Sequence, residues 1–591
     1  MDSPSDVQIK LSHLIPSHPI LLIPVLYESP YLYILLSNSN PLYLILHFLP
    51  SAVGVSENDT TASTATSPKM LFEIAPLPNL LVLAVPFTII VFLVRFIRQA
   101  AFRKTGPKIP PGPPGSDHAK YLQADRWNVF KAWNEKYGNV ARFYTGPQLN
   151  VLLGTMEGAI DLLEKAGETF SSRPDFVMGE FLFSRLRGFS MAYGQKWRNW
   201  RTIHNSHFSA KASPAAKPMQ ENESAVLIKD LLENKAEDAI LDRKHKILRR
   251  HMASTMFQMA YGRRVTSMED PLVMEHDEVE EYIESTKVPG RFFLESWPQL
   301  LWLPWFSWEP EGRRDTNTRL YTTVMNDVKK RMEEGTQVPC TTQWALERQK
   351  ELGFDDLELS YALSSPWAAG IGTVSTAIEI AILAILHYPG AYAKVNEEMD
   401  RVVGRDRMPT FADQQNLPYL DAFIKETMRW RLVTPTVIAH SSIQDYTYKG
   451  MFIPKDTAIY PNGTMMMRDP AVFPDGDTFK PERFLNVTDP RLQTYKFGVF
   501  GFGRRICPGM YVALQSLYIA MARMLWAFEV LPVIENGKPC IPDADDFSYG
   551  LVSYPAALKY RLVARSEKHR EIAMREAELA EERMAGLPGS Y

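Results

Sequence analysis

The chain has 591 residues, enough for several average domains or for one large enzyme fold with appendages. Hydrophobic residues make up 45% and charged residues 23%, an ordinary globular balance, and a net charge of -3 gives no electrostatic basis for a nucleic-acid partner. Three cysteines, Cys340, Cys507 and Cys540, are too few for a disulfide framework; with no C-x-x-C pair, cysteine chemistry rests on single residues.

Residues 1–73 read as an atypical N-terminal extension. Apolar segments at 20–26 and 42–49 are broken by prolines, and residues 56–67 form a Ser/Thr-rich tract. Met70 opens what looks like a complete anchor-plus-linker beginning. It is the expected natural start, with the preceding residues an extension of the gene model. From Ile74 to Val94 the chain is uncharged over about the ~20 residues that cross a bilayer as a helix. Pro76, Pro78 and Pro86 are tolerated in such helices. Arg95, Arg98, Arg103, Lys104 and Lys108 follow at once, which places that side in the cytosol. A buried core helix or a cleaved signal peptide fits this one-sided basic flank less well. Residues 95–119 form a basic, Pro/Gly-rich linker whose stiff elbow is Pro110–Gly115.

From 120 to 565 the pattern is mostly helical with short strand-like pieces. Val140–Tyr144 and Leu149–Leu153 read as a hairpin around Gly146-Pro147, and Ala377–Leu386 reads as a buried helix. The apolar run from Val512 to Phe528 predicts another. Residues 566–591, rich in Glu, Arg and Ala, predict a solvated, charged helical tail without assigned function.

The chemistry centres on Phe500-Gly501-Phe502-Gly503-Arg504-Arg505-Ile506-Cys507-Pro508-Gly509. A metal-ligating thiolate needs nearby N–H groups and a partly dry pocket, and a helix N-terminus beside it favours the anion. Gly503 and Gly509 allow a tight turn around the sulfur, and Arg505 is a candidate partner for a carboxylate. This stretch resembles the cysteine loop of the cytochrome P450 superfamily, F-x-x-G-x-R-x-C-x-G, with Phe500, Gly503, Arg505, Cys507 and Gly509 in its five fixed places. The resemblance implies that Cys507 is the axial ligand to a haem b iron.

Other segments fit the same family. Glu426 and Arg429, three apart on a helix, read alone as a surface salt bridge. In their setting they resemble the family's E-x-x-R helix, and Phe479–Phe484 resembles the segment that adds Arg483, which implies a buried structural triad. Trp197 and Arg201 match its W-x-x-x-R helix, implying donors to a haem propionate. His440 resembles a third donor, with an ordinary structural histidine the equal alternative. Ala369-Gly370-Ile371-Gly372-Thr373 resembles the distal A-G-x-D/E-T segment. There Gly370 would leave room for dioxygen and Thr373 would be the catalytic hydroxyl. The usual acid is replaced by Gly372, so protons must arrive through water, Thr376 or another group. A second departure is a shortened stretch between the elbow and Lys136-Tyr137-Gly138.

The resemblance spans roughly 74–565 and is strongest to the fungal membrane-bound branch of secondary metabolism. It implies a mainly α haem-thiolate fold with small β-sheets, preceded by an N-terminal transmembrane helix, and a catalytic domain at 120–565. It further implies a single-pass endoplasmic reticulum protein with its catalytic domain in the cytosol. The expected activity is monooxygenation of a lipophilic small molecule, with electrons from NADPH through cytochrome P450 reductase and cytochrome b5 as a possible second donor. Lys196, Arg198 and Arg504 are candidate reductase contacts. Two other classes stay open at this stage: an oxygen-independent haem-thiolate isomerase or dehydratase, suggested by Gly372, and a degenerate inactive chain, suggested by the N-terminus and shortened linker.

Overall fold

The computed structural model describes residues 21–24, 32–36, 43–46, 107–123, 126–233, 241–286, 292–296 and 308–589. The expected membrane helix at 74–94 and the basic run that follows lie outside these residues. Two compact units divide the chain, Met1–Pro107 and Lys108–Tyr591. In the first, β1 (Leu21–Pro24), β2 (Leu32–Leu36) and β3 (Tyr43–Leu46) form an antiparallel sheet in that order, built from runs of Leu, Ile and Tyr that suit a pleated surface.

The second unit begins with α1 (Arg126–Tyr137) and the expected hairpin, β4 (Val140–Thr145) and β5 (Gln148–Leu153). Gly146 takes φ +55° in its turn, a conformation that favours glycine. The longer helices that follow are α2 (Gln195–Phe208), α3 (Lys217–Glu233), α4 (Leu241–Tyr261), α5 (Pro271–Thr286), α6 (Trp308–Glu333) and α7 (Ser365–His387). Pro366 occupies the first turn of α7, where its missing N–H costs nothing. Tyr388-Pro389 ends α7 and Pro389 opens α8 (Pro389–Val402). The next helix, α9 (Pro418–Trp430), starts on the Glu398 carboxylate of α8, which accepts from Tyr419 N at 3.0 Å and Leu420 N at 2.9 Å. A carboxylate there satisfies free N–H groups and complements the helix dipole.

Four short strands come next: β6 (His440–Ser441), the hairpin β7 (Tyr446–Tyr448) and β8 (Met451–Ile453), and β9 (Ala458–Pro461). β9 pairs parallel to β5 and antiparallel to β6, giving a four-stranded sheet in the order β4-β5-β9-β6. The chain then forms α10 (Tyr495–Phe500), the cysteine loop, α11 (Met510–Ala527), small antiparallel pairs from β10 (Phe528–Leu531) to β13 (Arg561–Ala564), and α12 (Glu567–Met584).

Two apolar clusters hold this unit. One gathers the C-terminal half of α7 with α9 and α11, through Ile378, Leu383, Phe423 and Leu525. The other joins Trp367 of α7 to Phe257 of α4 and Leu320 and Tyr321 of α6. Helix α7 therefore passes through both. It belongs to the segment Asp356–His387, which is long and apolar enough to span a bilayer yet mostly buried in protein, so it is a core helix.

The C-terminal tail corrects its sequence-based reading as solvated. Ala577, Ala580 and Met584 of α12 pack on Ala225 and Val226 of α3, and Ile572 and Ala573 join the main core. The charged residues that dominate its composition occupy the outer face, and Lys229 of α3 bridges to Glu581 at 2.9 Å. Alternating small apolar and charged residues at helical spacing make an amphipathic docked helix.

Candidate active site

The cysteine loop is built by backbone geometry. After α10, Gly501 adopts φ +84° and Gly503 φ +53°. A Cβ on Gly503 would come within 2.3 Å of the Leu163 carbonyl oxygen, so both its conformation and its surroundings demand glycine. Its N–H donates to Glu164, pinning the loop to the segment 160–165. The Cys507 N–H returns to the Phe500 carbonyl at 2.8 Å and closes the loop on the end of α10. Cys507 thus stands three residues before α11. Burial pushes its thiol above the usual value, against the Gly509 N–H and the charge of Arg201, which both act to lower it. The polypeptide alone leaves this thiol protonated, and a bound cation is what would make it a thiolate.

Around this loop the fold gathers buried cations. Arg505 stacks on the Trp197 ring, 4.4 Å from its centroid. It donates to the carbonyls of Ser171, at 2.7 Å, Gly188, at 3.3 Å, and Met191, at 2.7 Å, rather than to a carboxylate. Arg201 donates to the Ile506 carbonyl. Arg173, in the loop before Pro174, donates to the carbonyls of Ile438, at 2.8 Å, and Ala439, at 2.6 Å, and its Nε is buried with no hydrogen-bond partner. Among the described residues none of the three has a carboxylate partner. Burial lowers Arg173 to about 9 and Arg505 to about 8, and the charges of Arg173 and Arg201 add to the penalty on Arg505. Buried guanidinium groups without counter-charge, one with an orphaned N–H, fit an anionic group such as the haem's two propionates.

His440 is less simple. Its Nδ1 lies 2.7 Å from the Phe170 carbonyl and must carry the hydrogen there, which leaves Nε2 bare in the neutral ring. Burial, with Arg173 beside it, drives its pKa well down. His440 would donate to a propionate only if that anion drew a proton onto Nε2; without one it is a structural histidine.

On α7, Ala369 is exposed and Thr373, one turn on, is partly so, although the helix is otherwise deeply packed. The two share a face toward an open space. The Thr373 hydroxyl donates to the Ala369 carbonyl at 2.9 Å, which leaves its lone pairs able to accept from that space. At Gly370 a Cβ would meet the side chain of Met256 of α4, so the close approach of these two helices also uses the missing side chain. Gly372 is open, with Arg249 Nη1 3.6 Å from where its Cβ would be.

Behind the loop, Arg429 grips Glu426 with two 2.7 Å bonds, both side chains fully buried. Arg429 also donates to the Met467 and Gly476 carbonyls, while Arg483 reaches Glu426 at 3.4 Å. Met467 packs where a Cβ on Gly498 of α10 would stand, so the triad braces the helix that leads to the cysteine. Of the candidate reductase contacts, Lys196 pairs with Glu358 and Arg504 with Glu168 at 3.1 Å, while Arg198 bonds Gln195.

Sequence reasoning missed Arg173. It stands alone in a loop, with no helical spacing to mark it, and only the three-dimensional gathering with Arg201 and Arg505 gives it a part.

Known proteins give the same family. The family described as Cytochrome P450 matches residues 110–560. The chain is 35% identical to cytochrome P450 monooxygenase 58 of Postia placenta over 79% of this chain and 91% of that one. It is 32% identical to cytochrome P450 monooxygenase aneD of Aspergillus aculeatus over 81% and 93%. A zebrafish cytochrome P450 solved with abiraterone shares the fold, with TM-score 0.61 at 22% identity over 75% of this chain and all of that one.

Proposed function

Since this chain belongs to the cytochrome P450 family and is a monooxygenase of that class, we propose that it holds haem b through Cys507 and oxidises a lipophilic small molecule in fungal secondary metabolism, with electrons from NADPH through cytochrome P450 reductase. The carrying observation is the arrangement at one end of α11: a partly buried cysteine in a glycine-shaped loop, with Arg201, Arg505 and Arg173 gathered around that loop and, among the described residues, without carboxylate partners. When bound, the haem iron supplies the dioxygen chemistry.

The chain's own residues then have distinct work. Cys507 would ligate the haem iron and donate charge to it, with Phe500, Gly503 and Gly509 shaping the loop that positions the sulfur. Arg173, Arg201 and Arg505 would neutralise the propionates, with Trp197 as the platform under Arg505 and His440 as a further contact. Thr373 offers a hydroxyl to the distal space. Its packing role aside, the Gly370 backbone borders that space. The uncharged segment Ile74–Val94 and its basic flank support a single-pass anchor in the endoplasmic reticulum membrane, with the catalytic domain at 120–565 in the cytosol.

Membranes carrying the full chain, supplied with a diflavin reductase, NADPH, labelled dioxygen and a fungal lipid extract, should yield an oxygenated product bearing the label. The protein should stay membrane-bound through alkaline carbonate and be released when residues 1–104 are removed. A product that forms without NADPH or dioxygen would move the chain to the isomerase class that Gly372 suggested.

A further inference from the structure

Gly372 stands where the resemblance expects a distal acid, and a neighbouring helix brings a charge beside it. Arg249 of α4 brings Nη1 to 3.6 Å from the missing Cβ, an ordinary contact distance, so a small side chain fits in the notch beside the guanidinium. The same guanidinium donates through Nη2 to Asp277 Oδ1 of α5 at 2.7 Å. Both partners are about a quarter exposed, at 22% and 28%. Arg249 therefore links the notch to a carboxylate that touches solvent.

A second observation marks this spot as more than an ion pair. His276, beside Asp277, is 2% exposed, and both its ring nitrogens are buried without hydrogen bonds. Its ring stacks on Trp367 of α7 at 4.1 Å, five residues before Gly372. Nδ1 stands 3.8 Å from Asp277 and Nε2 3.6 Å from Glu280, both beyond hydrogen-bond reach. The acid that α7 itself carries, Glu379, lies two turns away and is taken by His245 at 2.6 Å.

We propose that Asp277, held by Arg249 at the Gly372 notch, is the acid that feeds protons to the distal space, standing in from α5 for the carboxylate missing from α7. This rests on the monooxygenase reading. Burial raises the Asp277 carboxyl, but His276 and Arg249 outweigh it and hold it below its usual value, so it rests ionised. It takes a proton from solvent and passes it to water in the notch. That water hands a proton onward to one held by Thr373 Oγ1, which faces the distal space with free lone pairs. Asp277 returns to carboxylate, one proton has moved inward, and no electrons move. The electrons and dioxygen belong to the monooxygenase reaction. Thr373 acts here by positioning the last water.

The test uses the full-length haem-loaded protein with reductase and NADPH and no added organic substrate, reading hydrogen peroxide formed per dioxygen consumed. Poor proton supply diverts dioxygen to peroxide, whereas full supply reduces it to water. Asp277→Asn should raise the peroxide share about threefold or more, and adding Gly372→Asp should restore most of it. A readout independent of turnover is the melting temperature: Gly372→Asp should be stabilising with Arg249 present and lose that gain in Arg249→Met. An unchanged peroxide share in Asp277→Asn, or in Asp277→Ser if the first variant folds poorly, overturns the relay. So do additive melting shifts, or a wild type that releases all its dioxygen as peroxide. If the wild type consumes no dioxygen with NADPH and reductase, the monooxygenase reading itself fails and the relay falls with it.

Discussion

Arg173 shows what a single buried charge can report. A guanidinium with an orphaned Nε and no carboxylate costs the haem-free chain free energy, and only an anionic ligand offsets it. Arg173→Gln keeps a donor for the Ile438 and Ala439 carbonyls while removing the charge. Its haem-free form should therefore melt close to the wild type or above it. Its haem should transfer to a competing apoprotein about tenfold faster, equivalent to ~1.4 kcal/mol of lost binding. Unchanged haem transfer with a large loss of stability would make Arg173 purely structural. No local pattern announces this residue. The glycines of the cysteine loop are the opposite case, since Gly503 must be glycine for a reason confined to its own neighbourhood and the motif carries it whole.

Among elements, the braces behind the site are the most exposed to test. Glu426 satisfies Arg429, Arg483 and the Lys480 N–H at once. Glu426→Ala strands a fully buried guanidinium, which typically costs ~3–5 kcal/mol. Haem content and folded yield should fall together; a folded, haem-replete but inactive variant would argue for a catalytic role. Helix α12 makes a second case. Ending the chain after Arg565 bares Ala225 and Val226, removes the Lys229–Glu581 bridge and loses the bond from Arg264 N to Pro588 O. Roughly 3 kcal/mol of stability should go by apolar area alone, read by chemical denaturation. A truncated chain as stable as the whole would restore the picture of a solvated tail.

These elements also divide what the sequence could reveal from what it could not. The hairpin β4–β5, the buried helix α7 and the helix after Cys507 are legible because each carries a local signal, a Gly-Pro turn in the first and a long apolar run in the other two. The docking of α12 was not, because its abundant charges mask a stripe of small residues whose partner lies far away in sequence. The Met256 side chain packed at Gly370 is likewise beyond the motif, which fixes a residue's position along α7 and not what the facing helix brings there.

At the scale of the molecule, several elements of the second unit meet around the loop before α11. The α9 triad steadies α10, α10 launches the loop, the loops around 173 and 188 close over Arg505, and α7 presents Thr373 from the other side. The claim beneath all of this is that Cys507 binds iron as a thiolate. Carbon monoxide added to the reduced full-length protein measures it directly. The account predicts the red-shifted Soret band of thiolate-ligated haem in the wild type and its disappearance in Cys507→Ala. A wild type lacking that band, or a Cys507→Ala variant that keeps it, would contradict the account.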